Sequence, residues 1–133
     1  MKILLWVIAA VLLAVVVVFG LQVVASETGE VVVLTTKSGD REATTRLWVV
    51  DHDGAQWLRG GKDSGWYQRL AAAPAVRLSR GGQTATYLAS AEPAMTAQVH
   101  ALMAAKYGWR DDLISMLVGG RENDVAVRLT PTD

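Results

Sequence analysis

This chain of 133 residues has no cysteine. Disulfide staples, thiolate nucleophiles and cysteine-ligated zinc are therefore excluded, while the redox compartment is left open. Histidine is scarce: His52 and His100 stand far apart, and neither has a metal-ligand companion at a usable spacing. Charge of one sign is not in excess either. The 13 Lys and Arg balance 13 Asp and Glu, which argues against a nucleic-acid binder that works by neutralising many phosphates. That balance still permits a local basic pocket for one small phosphate. Walker loop, Rossmann fingerprint, HExxH, GxSxG and EF-hand patterns are all missing. Length sets the frame, allowing one compact domain and hardly two.

The longest gap is in ionisable groups. Between Lys2 and Glu27 lie 24 residues without one, and of the 19 from Ile3 to Leu21 all but Gly20 are apolar. As a helix this run would span about 28 Å at roughly 1.5 Å per residue, close to a hydrocarbon core of about 30 Å. It closes its own backbone hydrogen bonds and is apolar on every face, so water is a poor solvent for it. Residues 1–26 are expected to form an uncleaved, single-pass transmembrane anchor and joint, with Lys2 and Trp6 at the near interface. A cleaved signal peptide ending at Val23-Val24-Ala25 is the main alternative, but the run exceeds the usual apolar stretch of about 7–15 residues. A buried soluble helix would need a larger protein around it. Lys2 before the run and Lys37 and Arg41 after it leave the side of the membrane undetermined.

Residues 27–133 read as a small strand-rich domain. Val31–Thr36 is β-branched except for Leu34, and Lys37-Ser38-Gly39-Asp40 supplies a turn. Thr44–Val50 and Ala55–Arg59 flank Asp51-His52-Asp53-Gly54, whose DG pair between apolar runs is a hairpin signal. Trp66–Ala73 has helix formers and stops at Pro74. Ala75–Ser79 and Thr84–Ala89 are joined by Arg80-Gly81-Gly82-Gln83. From Ser90, a plausible N-cap with Pro93 in the first turn, the period lengthens: Met95, Val99, Leu102 and Met103 form one apolar stripe. Gly108 interrupts it. Asp111 and Asp112 open Leu113–Val118, which Gly119-Gly120 closes, and Val125–Leu129 is a last strand. Six short strands with two or three helices suit a closed or partly closed barrel better than an open parallel sheet.

Two polar clusters stand out as candidate sites. In the first, Thr35 to Arg41 with Thr44-Thr45-Arg46, turn N–H groups, hydroxyls and a Lys/Arg pair could hold a phosphate or carboxylate. An ordinary solvated turn is the plainer alternative. The second, Gly60-Gly61-Lys62-Asp63-Ser64-Gly65-Trp66-Tyr67, combines a cation, a helix start with orphan N–H groups, and two aromatics. Adjacent helical residues do not share a face, so one aromatic belongs to the core. Trp48 and Trp57 flank the hairpin and are expected to pack on the sheet. Tyr107 and Trp109, beside the Gly108 break, suit either a pocket rim or helix-end packing; His52 is expected in an exposed turn and His100 at a surface or boundary.

The run Val33-Leu34-Thr35-Thr36-Lys37-Ser38-Gly39, then Arg41 and Thr44-Thr45-Arg46-Leu47-Trp48, resembles the opening pattern of the deazaflavin-dependent nitroreductase family. The resemblance continues through Gly60-Gly61-Lys62 and Gly65-Trp66-Tyr67 with Leu70 and Pro74. It covers about residues 30–80 well and 83–129 loosely. It implies a six-stranded split β-barrel with packed helices. It also implies F420 or flavin mononucleotide (FMN) as cofactor, anchored by Lys37, Ser38, Gly39 and Arg41 with help near Thr44 and Thr45. Gly60, Gly61, Lys62 and Trp66 would lie along the cofactor, and Tyr107 would face the substrate as the catalytic residue. Family members pass a hydride from the reduced cofactor to nitroaromatics, quinones or similar acceptors, and split-barrel relatives often form homodimers. No metal is implied. Arg46 replaces a common Pro, an Asn between Leu70 and Pro74 is missing, and the first turn is shorter and less basic. F420, FMN and loss of cofactor binding therefore stay open, and a non-enzymatic membrane-associated barrel binding a protein partner or small anionic ligand is the alternative function.

Overall fold

A computed structural model describes residues 1–27, 29–118 and 123–132. The first helix, α1 (Lys2–Glu27), leads into a single antiparallel sheet. Its strands are β1 (Val32–Ser38), β2 (Arg41–Leu47), β3 (Val50–His52), β4 (Ala55–Gly61), β5 (Ala75–Arg80), β6 (Gln83–Ala91) and β7 (Asp124–Pro131). Between them lie α2 (Gly65–Ala72), a 3-10 turn at Pro93–Met95, α3 (Thr96–Tyr107) and α4 (Trp109–Val118). The Gly119-Gly120 stop expected after α4 lies outside the described residues.

The sheet order is β2-β1-β5-β6-β7-β4-β3, so β2 and β3 are its two edges. Yet only Trp48 and Val49 separate them in the chain. Three Cα steps reach no more than about 11 Å, so the sheet must curl until its edges almost meet. This is the split barrel that the resemblance implied, with seven described strands instead of six. The extra strand arises because the expected Thr44–Val50 strand breaks at Trp48-Val49. Propensity runs unbroken there, but tertiary contacts replace the ladder: Tyr107 Oη accepts the Val49 N–H at 3.1 Å, and Lys106 Nζ donates to the Val49 carbonyl at 2.7 Å. The backbone groups are satisfied by side chains and no strand partner is needed.

Turn chemistry sets the registers. Asp53 and Gly54 both have positive φ, 51° and 73°, as a two-residue type I′ turn requires; β3 consequently extends to His52, which pairs with Ala55. Gly39, with φ of 62°, is the first central residue of the Gly39-Asp40 turn, and Ser38 pairs with Arg41 across it. The expected N-cap at Ser90 is corrected. The β6–β7 ladder runs on, pairing Ser90 with Arg128 and Ala91 with Val127, and the helix begins only at Thr96 after the 3-10 turn. A continuing ladder outweighs a local capping preference.

Alternation divides the core in two. Val32, Leu34, Val49, Leu58, Val76, Leu78, Val127 and Leu129 fill the barrel together with Trp66 and Leu70 of α2. On the outer face Val99, Met103 and Tyr107 of α3 cover Val50, Ala55, Trp57 and Ala126, so the expected stripe does face the sheet. Trp57 is a sheet residue paired with Val50, whereas Trp48 stacks on Tyr107 with centroids 4.2 Å apart. Beneath α3 and α4, Arg59 of β4 donates to Asp111 at 2.6 Å and to His100 Nδ1 at 3.1 Å. This buried contact pins the start of α4 to the sheet. His52, half-buried, meets Asp53 and Gln98.

A second polar knot fastens the end of α1 to the barrel. Arg80 forms paired contacts with both oxygens of Glu30 and of Asp51, and Lys106 reaches Glu30 at 2.6 Å. Hydrogen bonds from Arg80 and Lys106 hold the Glu30 carboxyl down at about 2 from its ordinary 4.5. Arg80 lowers Asp51 in the same way. A carboxylate depressed on folding stabilises fully above its unfolded value, and that stabilisation is lost as pH falls through the folded one. Glu30→Gln should therefore lower stability at pH 7 by about 1 kcal/mol, discounted for partial exposure. Its melting temperature should converge on wild type between pH 4.5 and 2; a gap that persists at pH 2 would refute this origin.

Candidate functional site

The β1–β2 hairpin tip and α2 enclose an open cleft of about 600 Å³. From the hairpin come Lys37, Ser38, Gly39, Arg41, Glu42 and Ala43; from the helix side come Gly65, Gln68, Arg69, Ala72 and Ala73. Local sequence explains the walls. The Gly39 turn holds Ser38 and Arg41 face to face, while Pro74 stops α2 beside the tip.

The electrostatics of the cleft are one-sided. Glu42 is its only acid among the described residues, and it pairs with Arg77 of β5. Lys37 and Arg41 have no ion-pair partner among the described residues. Arg69 is aimed by its Nε, which donates to Thr36 Oγ1 at 2.7 Å. Thr36 is fully buried, and its own hydroxyl turns to the Ala43 carbonyl at 3.4 Å. Arg69 thus presents its terminal nitrogens from a fixed base. Three cations and a serine hydroxyl, beside one acid already paired, form a donor set for a doubly charged phosphate or a carboxylate. Ala43, Ala72 and Ala73 add a small-residue floor, and no aromatic side chain lines the cleft among the described residues.

The structure brings together Lys37, Ser38, Gly39 and Arg41 from the sequence-derived set, and places the others elsewhere. Thr44 is exposed and Thr45 half-buried beside Leu34 in the ladder; neither lines the cleft. Gly60 lies under Trp66, Gly61 beside Asp124, and Lys62 is exposed with its N–H bonded to the Asn123 carbonyl. Trp66 is only 6% exposed and belongs to the barrel interior, so it does not cover a ring in the cleft. Tyr107 is likewise a core residue. Its hydroxyl donates to the Glu30 carbonyl at 2.5 Å and accepts the Val49 N–H, which leaves no free proton to offer a substrate. Burial also pushes its pKa up.

Arg69 and Gln68 were not among the candidates. Arg69 follows Trp66 by three residues, so a barrel-facing Trp66 would have put it on a neighbouring part of the same helix face. Its partner Thr36 is 33 residues away, beyond any local pattern.

No family model matches the sequence, and no similar sequence is found among characterised proteins. Solved structures do match. A protein from Listeria innocua assigned as a pyridoxamine 5′-phosphate oxidase aligns over 84% of this chain and 90% of its own, at 17% identity and a TM-score of 0.57. The heme storage protein HutZ of Vibrio cholerae aligns over 82% and 86%, at 17% identity and 0.61. A FAD-binding protein from Mesorhizobium loti aligns over 79% and 81%, at 11% identity and 0.55. The shared feature is the split-barrel fold of the pyridoxamine 5′-phosphate oxidase type; the likeness does not single out the deazaflavin-dependent nitroreductase family within it.

Proposed function

We propose that this chain is a membrane-tethered oxidoreductase whose barrel binds the phosphate-bearing end of FMN or F420 in the cleft between the β1–β2 tip and α2. The observation that carries the reading is the convergence of Lys37, Arg41 and Arg69 on a cleft whose single acid among the described residues, Glu42, is already paired. Its volume falls in the range of small-molecule sites, about 300–1,000 Å³. Fold likeness to proteins named for flavin or heme binding is in keeping with it.

Bound in reduced form, either cofactor supplies a hydride for a nitroaromatic, a quinone or a similar acceptor. The protein's part is to bind and to orient. Arg41 and Arg69 would hold anionic oxygens from the two walls, Lys37 would add a point charge at the tip, and Ser38 would donate a hydroxyl hydrogen bond. No histidine lines the cleft among the described residues, so the proton that must accompany the hydride would come from water. For tethering, the span Lys2–Leu21 of α1 is wholly exposed and long and apolar enough to cross a membrane. Uncleaved, it would anchor residues 27–133 at the surface.

A specific observation favours a second reading: among the described residues no aromatic lines the cleft, and Tyr107 is spent on the backbone, which fits an anion-binding module without redox turnover. One experiment separates the two. The full chain in detergent micelles is titrated with FMN, F420 and inorganic phosphate at matched salt. Saturable micromolar binding of one redox cofactor, displaced by phosphate and followed by acceptor reduction, is the expected result. Phosphate binding alone would favour the module, and no binding of any would end both readings. Lys37→Ala should weaken binding about tenfold, the scale of one charge-assisted hydrogen bond. Lys62→Ala, outside the cleft, should change it less than about twofold. Equal effects would argue for a site along residues 60–62 instead.

A further inference from the structure

Helix α4 leaves two large apolar side chains in the open: Trp109 is 51% exposed and Met116 73%. Seven residues apart, they lie on one side of the helix, two turns from each other. Asp111 faces the other way, buried against Arg59. Composition changes along the helix, from Arg110, Asp111 and Asp112 in the first turn to Leu-Ile-Ser-Met-Leu-Val without a charge. Its ten residues span about 15 Å, too short to cross a bilayer. Two contacts tie it to the apolar helix. α4 packs against α1, and Gly29, just past the end of α1, lies against the Tyr107 ring and the Arg110 side chain.

We propose that α4 is an interfacial helix, with Trp109 and Met116 bedded in the phospholipid bilayer that α1 crosses; this rests on the reading of α1 as a membrane anchor. The argument is one of shared medium. The α1 span has no buried residue and no polar face, so lipid is the solvent that suits it, and a helix in contact with α1 lies beside the same boundary. The side chains are graded to match. Arg110 lies over the Trp109 ring at 4.8 Å, placing a cation and an amphipathic ring together, the pairing suited to the headgroup level. Exposed Asp112 stays in this polar first turn, while Met116 reaches beyond it toward the acyl region.

Because the chain has no cysteine, single probes report cleanly. Met116→Cys, Leu13→Cys in α1 and Asp40→Cys at the hairpin tip are each labelled with a polarity-sensitive fluorophore. Each full chain is then reconstituted in phosphatidylcholine/phosphatidylglycerol vesicles. The probes at positions 116 and 13 should be quenched severalfold by a nitroxide carried on lipid and shielded from a water-borne quencher, with position 40 showing the reverse. If 116 behaves like 40 while 13 is quenched by lipid, α4 is not interfacial although the anchor stands. Shielding of 116 from both quenchers would mean a protein partner, and overturns the proposal too. If 13 also behaves like 40, the anchor reading falls and this inference falls with it.

Discussion

Replacing Arg41 and Arg69 together by glutamine is expected to weaken FMN or F420 binding at least a hundredfold while leaving the far-ultraviolet circular dichroism unchanged. Each guanidinium can make charge-assisted hydrogen bonds worth about 1.5–3 kcal/mol, and each 1.4 kcal/mol is about a factor of ten. The two side chains come from opposite walls of the cleft, so neither substitutes for the other's direction of approach. Arg69 should contribute more than a flexible surface arginine because its Nε is fixed by the buried Thr36 hydroxyl, and ordering that other cations must pay on binding is already in place. Thr36→Val tests this: it keeps the charge, removes the acceptor and should cost several-fold in affinity. Raising the salt should weaken wild type more than the double variant, since screening acts on the charges that remain. A double variant that binds as wild type would move the site elsewhere.

The second large effect concerns a residue that never touches the cleft. A Cβ at Gly60 would come within 1.9 Å of Trp66 Cζ2 and within 2.7 Å of two further indole carbons. Such distances are far inside contact, and the indole is 6% exposed among the core side chains of the barrel, so it must displace neighbours to yield. Gly60→Ala should cost about 3 kcal/mol by overpacking, seen as a fall in melting temperature on the order of 10–20 °C for a domain of this size. The origin is checked by a double-mutant cycle. In a Trp66→Leu background, itself destabilised by the cavity it leaves, Gly60→Ala should be nearly neutral; an undiminished cost there would place its cause in the strand and not in the indole. Since α2 carries both Trp66 and Arg69, the same alanine should also loosen cofactor binding.

Much of the fold was legible because its signals are local. Asp53-Gly54, Gly39-Asp40 and Gly81-Gly82 each announce a hairpin, and the Met95–Met103 stripe announces the helix that covers the sheet. Departures occur where distant atoms decide. The break at Trp48-Val49 depends on Tyr107 and Lys106, almost sixty residues on, and the run through Ser90 depends on β7. The candidate site divides in the same manner. Lys37, Ser38, Gly39 and Arg41 belong to one turn, and the fold keeps them together. Arg69 joins them only through a partner in β1. Two aromatics assigned to the site are core residues, and their spacing carried that information: Trp66 with Leu70, and Val99, Met103 and Tyr107, each recur at four-residue intervals facing apolar neighbours.

The knot around Glu30 has a mechanical consequence. Beyond the contact of α1 with α4, tension applied through α1 reaches the barrel at this residue. There it divides at once among β5 through Arg80, α3 through Lys106 and Tyr107, and β1 through the main chain. A pull on α1 therefore loads several attachments in parallel. It does not peel β1 from its neighbours one hydrogen bond at a time.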